Sequence, residues 1–225
     1  ASVEYAFPLA SADTEFLKGF SQGAWYRPLS ARNGLAVSAR IGLIEPLGIT
    51  AESEEGVPFS ERFTAGGETS HRAFKLDELG IPGESIVCLV NRIVSRDDQG
   101  NPVETVQELD RLCETLGMIR SGVDSVKDAY QGGSILGLGG NALTIINLEY
   151  RFPIFGTLGG ALFVDGGNVW ATRDRIDIGD FRYGAGLGLR YITPVGPVRF
   201  DIGWKLDKKP HEDPYAAFLS LGYAF

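Results

Sequence analysis

The 225-residue chain carries a formal net charge of -8, which excludes the broad basic surface that neutralising nucleic-acid phosphates requires. No stretch approaches the roughly 18–20 continuous apolar residues of a membrane-spanning helix. A membrane protein made of strands stays open, because alternation hides hydrophobicity in averages, and 30 glycines with 11% aromatics favour β structure.

In chain order, "SVEYAFPL" (2–9) alternates at Val3, Tyr5 and Phe7, so it reads as a strand and not as a secretory signal. The chain is then a mature form or a piece of a longer one. "EFLKGFSQGAWYRPL" (15–29) is strand-like with imperfect alternation. "GLAVSARIGLI" (34–44) sets Leu35, Val37, Ala39, Ile41 and Leu43 against Ser38 and Arg40. Residues 45–140 form a long connection, and within it Gly66 and Gly67 mark a bend before Arg72, Ala73 and Phe74. Val103, Val106, Leu109, Cys113 and Leu116 make a helical stripe that ends at Gly117. Cys88 and Cys113 read equally as one disulfide or as two free thiols.

Alternation is clearest after residue 140. It covers "NALTIINLEYRF" (141–152), "LGGALFVDGGNVW" (158–170), "FRYGAGLGLRYI" (181–192), "VRFDIGWKL" (198–206) and "YAAFLSLGYAF" (215–225). The reading is therefore an all-β, antiparallel transmembrane barrel region over 1–225, of about eight strands, with an inward-folding loop and a short helix. Every second connection is short (28–33, 153–159, 193–197), as in outer-membrane barrels with short periplasmic turns.

One face of these strands is apolar, with Tyr183, Tyr191, Trp204 and Tyr223 towards the strand ends. The other carries Glu149, Asp165, Gly184, Gly186, Gly188, Arg190, Asp201 and Gly203. A solvated face would be rich in Lys, Glu and Thr, and glycines inside strands call for a close neighbour. The apolar face is therefore expected to meet lipid and the glycine face to line a lumen filled by a bulky object. A guanidinium in such a lumen needs carboxylates. Arg72 is expected to fold inward onto Asp165, with Glu149 as second acceptor and Phe74 packed on the glycine wall.

The segment "ERFTAGGETSHRAF" (61–74) resembles the sixth-loop signature of the outer-membrane assembly and translocation barrels of the BamA/TamA type. "GGNALTIINLEYRFP", "FVDGGNVW", "YGAGLGLRYITPVGPVRFDIGW" and the terminal Phe225 resemble the strands that follow that loop. The resemblance makes Arg72 the tip arginine, Phe74 the tip aromatic and Asp165 the carboxylate partner of Arg72. Ala73 stands where the family has glycine, and His71 where it has an aliphatic residue. The family barrel has about sixteen strands after periplasmic POTRA domains. This chain then reads as a half or fragment of such a barrel, as a half completed by a second copy, or as a small barrel with the loop left outside. Tyr223 and Phe225 fit the aromatic ending by which barrel precursors are recognised.

The resemblance implies an outer-membrane machine of a Gram-negative bacterium, or of an organelle of that descent. It would insert β-barrel proteins or move polypeptides through a lateral seam and a plugged lumen. Its partners would be outer-membrane lipid and unfolded β-barrel clients. A two-partner-secretion-type transporter and a passive structural barrel are the alternatives. An outer-membrane hydrolase is disfavoured: no G-x-S-x-G elbow appears, and His211, beside Glu212 and Asp213, reads as a solvated turn. Neither His71 nor His211 has metal-ligand spacing, and no cofactor motif is present.

Overall fold

Period-two alternation over segments of ten residues and more builds one antiparallel sheet. The computed structural model describes residues 1–7, 14–52, 56–80, 139–194, 196–209 and 212–222, with the backbone of 86–89, 94–96, 102–104, 119–120 and 134–137. The strands of the main sheet are β1 (Ser2–Ala6), β2 (Phe16–Pro28), β3 (Gly34–Pro46), β9 (Ala142–Phe155), β10 (Leu158–Trp170), β11 (Arg182–Thr193), β12 (Gly196–Lys205) and β13 (Tyr215–Leu221). Five short strands intervene: β4 (Ile86–Leu89), β5 (Val94–Arg96), β6 (Pro102–Glu104), β7 (Ile119–Arg120) and β8 (Ser134–Gly137). The sheet order is β1-β2-β3-β9-β10-β11-β12-β13, a meander broken by one excursion between β3 and β9.

Among the described residues β1 pairs only with β2 and β13 only with β12, so the sheet has two open edges. A small closed barrel with the loop left outside is thereby set aside. The excursion opens with a short helix, α1 (Gly48–Glu52), and holds two small sheets, β7-β4-β8 and β5-β6. The helix expected over 103–116 does not begin as one: Val103 and Glu104 extend in β6, where Val103 pairs with Ser95. Pro102 and the β-branched Val103 favour that extended backbone. The rest of that stripe, and Cys113, lie outside the described residues, as do Tyr223 and Phe225. Cys88 lies on β4 opposite Ile135, and its side chain lies outside the described residues.

The two faces of the sheet differ as the alternation requires. Leu148, Leu162, Val164, Leu187, Leu189 and Leu219 are exposed on one side. Asn147, Glu149, Asp165, Arg199 and Asp201 are buried on the other, under residues 57–80. The loop packs by its own apolar residues: Val57, Phe63, Ala65, Phe74 and Leu79 join Ile44, Leu143, Ile145 and Val169 in one core. The connections β2–β3, β9–β10 and β11–β12 are short, and all lie at one end of the sheet.

Candidate functional site

The loop closes on itself before it meets the sheet. Gly66 and Gly67 hold φ of 114° and 96°, a region that favours glycine. Their backbones are tied at both ends of the turn: Ser70 Oγ accepts from Gly66 N–H, and Gly67 N–H donates to the Phe74 carbonyl at 2.9 Å. Further on, Leu79 N–H donates to the Ala65 carbonyl. Residues 67–74 therefore form a closed tip, and Arg72 projects from it.

Arg72 is 1% exposed, and Glu149 and Asp165 are fully buried. Its Nε donates to Asp165 Oδ2 at 2.9 Å and its Nη2 to Asp165 Oδ1 at 2.7 Å, a bidentate fork. Its backbone N–H also donates to Asp165 Oδ2. Nη1 donates to Glu149 Oε2. The guanidinium carbon stacks 3.6 Å from the centroid of Phe163, so its flat face is covered as well. Asn147 Nδ2 bridges Asp165 Oδ1 and the Ser70 carbonyl, and Ser38 Oγ donates to Asn147 Oδ1. Three strands thus fix one arginine.

The network continues towards the short-turn end. Glu149 also accepts from Arg151 at 2.6 Å and from Arg190 at 3.2 Å. Arg190 donates to Asp201 at 2.6 Å, and Arg199 lies 3.5 Å from the same carboxylate. Alternating signs let these charges stay buried, because each is paired.

The tip fits the wall through missing side chains. A Cβ on Gly184 would collide with the Ala73 methyl and come within 2.9 Å of the His71 ring. One on Gly203 would lie 2.5 Å from the Arg72 carbonyl oxygen. The methyl of Ala73, fully buried, is thus accommodated by glycine on the facing strand. Gly186 lies under Phe163, and Gly188 under Asp201 and Arg190. Phe74 is placed differently from the expectation. Its ring centroid lies 4.9 Å from the Arg182 guanidinium and 4.5 Å from Lys205 Nζ, and the His71 ring stands at right angles to it at 4.8 Å. The glycines are already covered by residues 71–73 and 163, and cations stabilise the aromatic face.

A second tie lies beside the first. Arg182 donates to Asp207 at 2.5 Å and to both oxygens of Glu212 at 3.0 and 2.8 Å, and Lys205 donates to Glu78 at 2.9 Å. Glu212 is buried, which corrects its reading as part of a solvated turn. Burial raises its carboxyl, but the hydrogen bonds and charge of Arg182 outweigh that and hold it below the usual range. His211 lies outside the described residues. Phe163, Asn147, Arg182 and Lys205 are the contributors that residue order did not single out. Phe163 was hidden because both faces of 161–164 are apolar.

An exterior of aliphatic and aromatic side chains, an interior of paired charges and a clamped loop define a class: the wall of an outer-membrane β-barrel with a plug. The whole chain, residues 1–225, matches the Omp85 superfamily domain, and the chain belongs to that superfamily of outer-membrane proteins. It is 23% identical over its full length to outer membrane protein assembly factor BamA of Neisseria meningitidis serogroup B, a match that takes in 25% of that relative. The crystal structure of BamA from Haemophilus ducreyi lacking POTRA domains 1-3 shares the fold. Its TM-score is 0.58 at 18% identity, over 94% of this chain and 36% of that one. The chain spans about a quarter of the length of the curated relative it matches.

Proposed function

We propose that this chain supplies the plug-bearing half of a wider outer-membrane barrel that inserts β-barrel precursors. The observation that carries the reading is the buried clamp of Arg72 on Asp165 and Glu149, which seats a loop against the inner face of the sheet. Among the described residues no strand lies outside β1 or β13, and an open strand edge can pair with an added strand, of the same wall or of a precursor. No nucleotide is needed, because strand pairing and a thinned bilayer do the work. The excursion 45–140 faces the cell exterior and the short turns the periplasm. The partners are lipid, unfolded β-barrel precursors, and either POTRA domains or a second copy that completes the wall.

The test uses charge reversal in proteoliposomes. Arg72→Asp and Asp165→Arg should each slow folding of a barrel precursor about tenfold or more, and the double reversal should recover part of the rate. Planar-bilayer conductance should rise in Arg72→Ala, because the plug is freed. A wild-type protein that speeds precursor folding no more than lipid alone would defeat the insertion reading. Passage of an unfolded polypeptide into the vesicles, without precursor folding, would point to translocation instead.

A further inference from the structure

His71 is a fully buried member of the loop tip, and the clamp described above does not use its ring. Its Nε2 lies 3.1 Å from the Arg182 carbonyl oxygen, so Nε2 carries the proton and donates. Nδ1 then holds only a lone pair, and among the described residues it has no hydrogen-bond partner. Cε1 of the ring faces Gly184, where even a Cβ would lie within 2.9 Å, and the Phe74 ring packs at right angles to it with centroids 4.8 Å apart. A proton on Nδ1 would create a buried N–H with no acceptor among the described residues, and a buried charge.

Among the described residues the surroundings offer that charge no free counter-ion. On β11 and β12, Arg182 and Lys205 both lie against the Phe74 ring, and Arg72 is the next residue in the loop. The carboxylates nearby are each engaged: Asp165 on β10 and Glu149 on β9 with Arg72, Asp207 and Glu212 with Arg182, and Glu78 in the loop with Lys205.

We propose that His71 makes the seating of the loop tip pH-sensitive: the tip is held while the imidazole is neutral and is released when the ring takes up a proton. Burial pushes the ring's proton affinity below its ordinary value, ahead of the opposing pull of Asp165. The seated state therefore binds fewer protons than the released one, so seating is complete above about pH 6.5 and weakens as pH falls below it. The inference concerns seating alone and stands whichever cargo the barrel handles.

The chain has two histidines, so a histidine-driven transition can be assigned by variants. Amide hydrogen exchange over residues 66–79 of the full chain, folded in vesicles and corrected for intrinsic rates, reads the seating constant. Protection should fall about tenfold between pH 7.5 and 5.5. His71→Leu should flatten that slope, and His211→Asn should keep it. Protection that is flat in the wild type, or an unchanged slope in His71→Leu, overturns the proposal. If His71→Leu does not seat at all, nitrogen-15 NMR of histidine-labelled wild type decides. An Nε2–H tautomer with a midpoint below 6.5 supports the switch. An Nδ1–H tautomer, or a midpoint at or above 6.5, overturns it.

Discussion

Arg72 leaves none of its charged surface uncovered. Asp165 takes one side of the guanidinium as a fork, Glu149 accepts from the remaining nitrogen, and Phe163 lies under the plane. A desolvated cation over an aromatic face is worth about 2 kcal/mol. Phe163→Leu keeps an apolar side chain but loses that face, so loop seating should weaken by about 1–2 kcal/mol. Loss of amide protection at residues 66–74, with the strand amides unchanged, would show it. An arginine among alternating strands demands carboxylates of inward parity, and Glu149 and Asp165 hold that parity in the bare sequence. Phe163 could not be found in this way, because Leu162 and Val164 beside it are equally apolar and face outward. The Ala73 contact with Gly184 depends on which strand faces the tip, and residue order does not state that.

At the level of elements, β12 is shaped to receive backbone. Gly203 faces the Arg72 carbonyl and the Ala73 nitrogen, neither of which can swing aside as a side chain can. Gly203→Ala should therefore unseat the tip while β11 and β12 remain paired. Trypsin should then cut after Arg72, which is buried in the wild type and is not cut there. After β12, Asp207 and Glu212 are held by Arg182, and that tie has a pH limit. The folded Glu212 carboxyl sits below its ordinary value near 4.5. Its contribution is present above that value and is lost as pH falls through the lowered one. Protection of residues 206–214 should thus hold at pH 6 and collapse in acid, and Glu212→Gln should lower it already at pH 6. The alternation of 181–192 and 198–206 made these strands plain. The burial of Glu212 was not legible, because a run of His, Glu and Asp in a connection has the composition of a solvated turn, and Arg182 is thirty residues away.

For the whole molecule the apolar exterior decides what surrounds it. Leu187 lies midway along β11 and is 54% exposed. A leucine there is at home against hydrocarbon, and an arginine there costs about 2–4 kcal/mol at the bilayer midplane. Leu187→Arg should reduce the fraction folded into vesicles. The same substitution at the strand ends, at Tyr191, should have little effect.

The plug is attached to more than its clamp. Glu61 binds Lys18 on β2, Phe63 lies over Gly42 on β3, and residues 68–78 reach Glu149, Asp165, Arg182, Arg199 and Lys205 on β9 to β12. Six neighbouring staves are thus cross-braced by a single ribbon. A stopper fastened to one stave could be drawn out while the cask kept its shape. This one is held at separate points, so its tip can come free while Glu61 and Phe63 keep its root on β2 and β3.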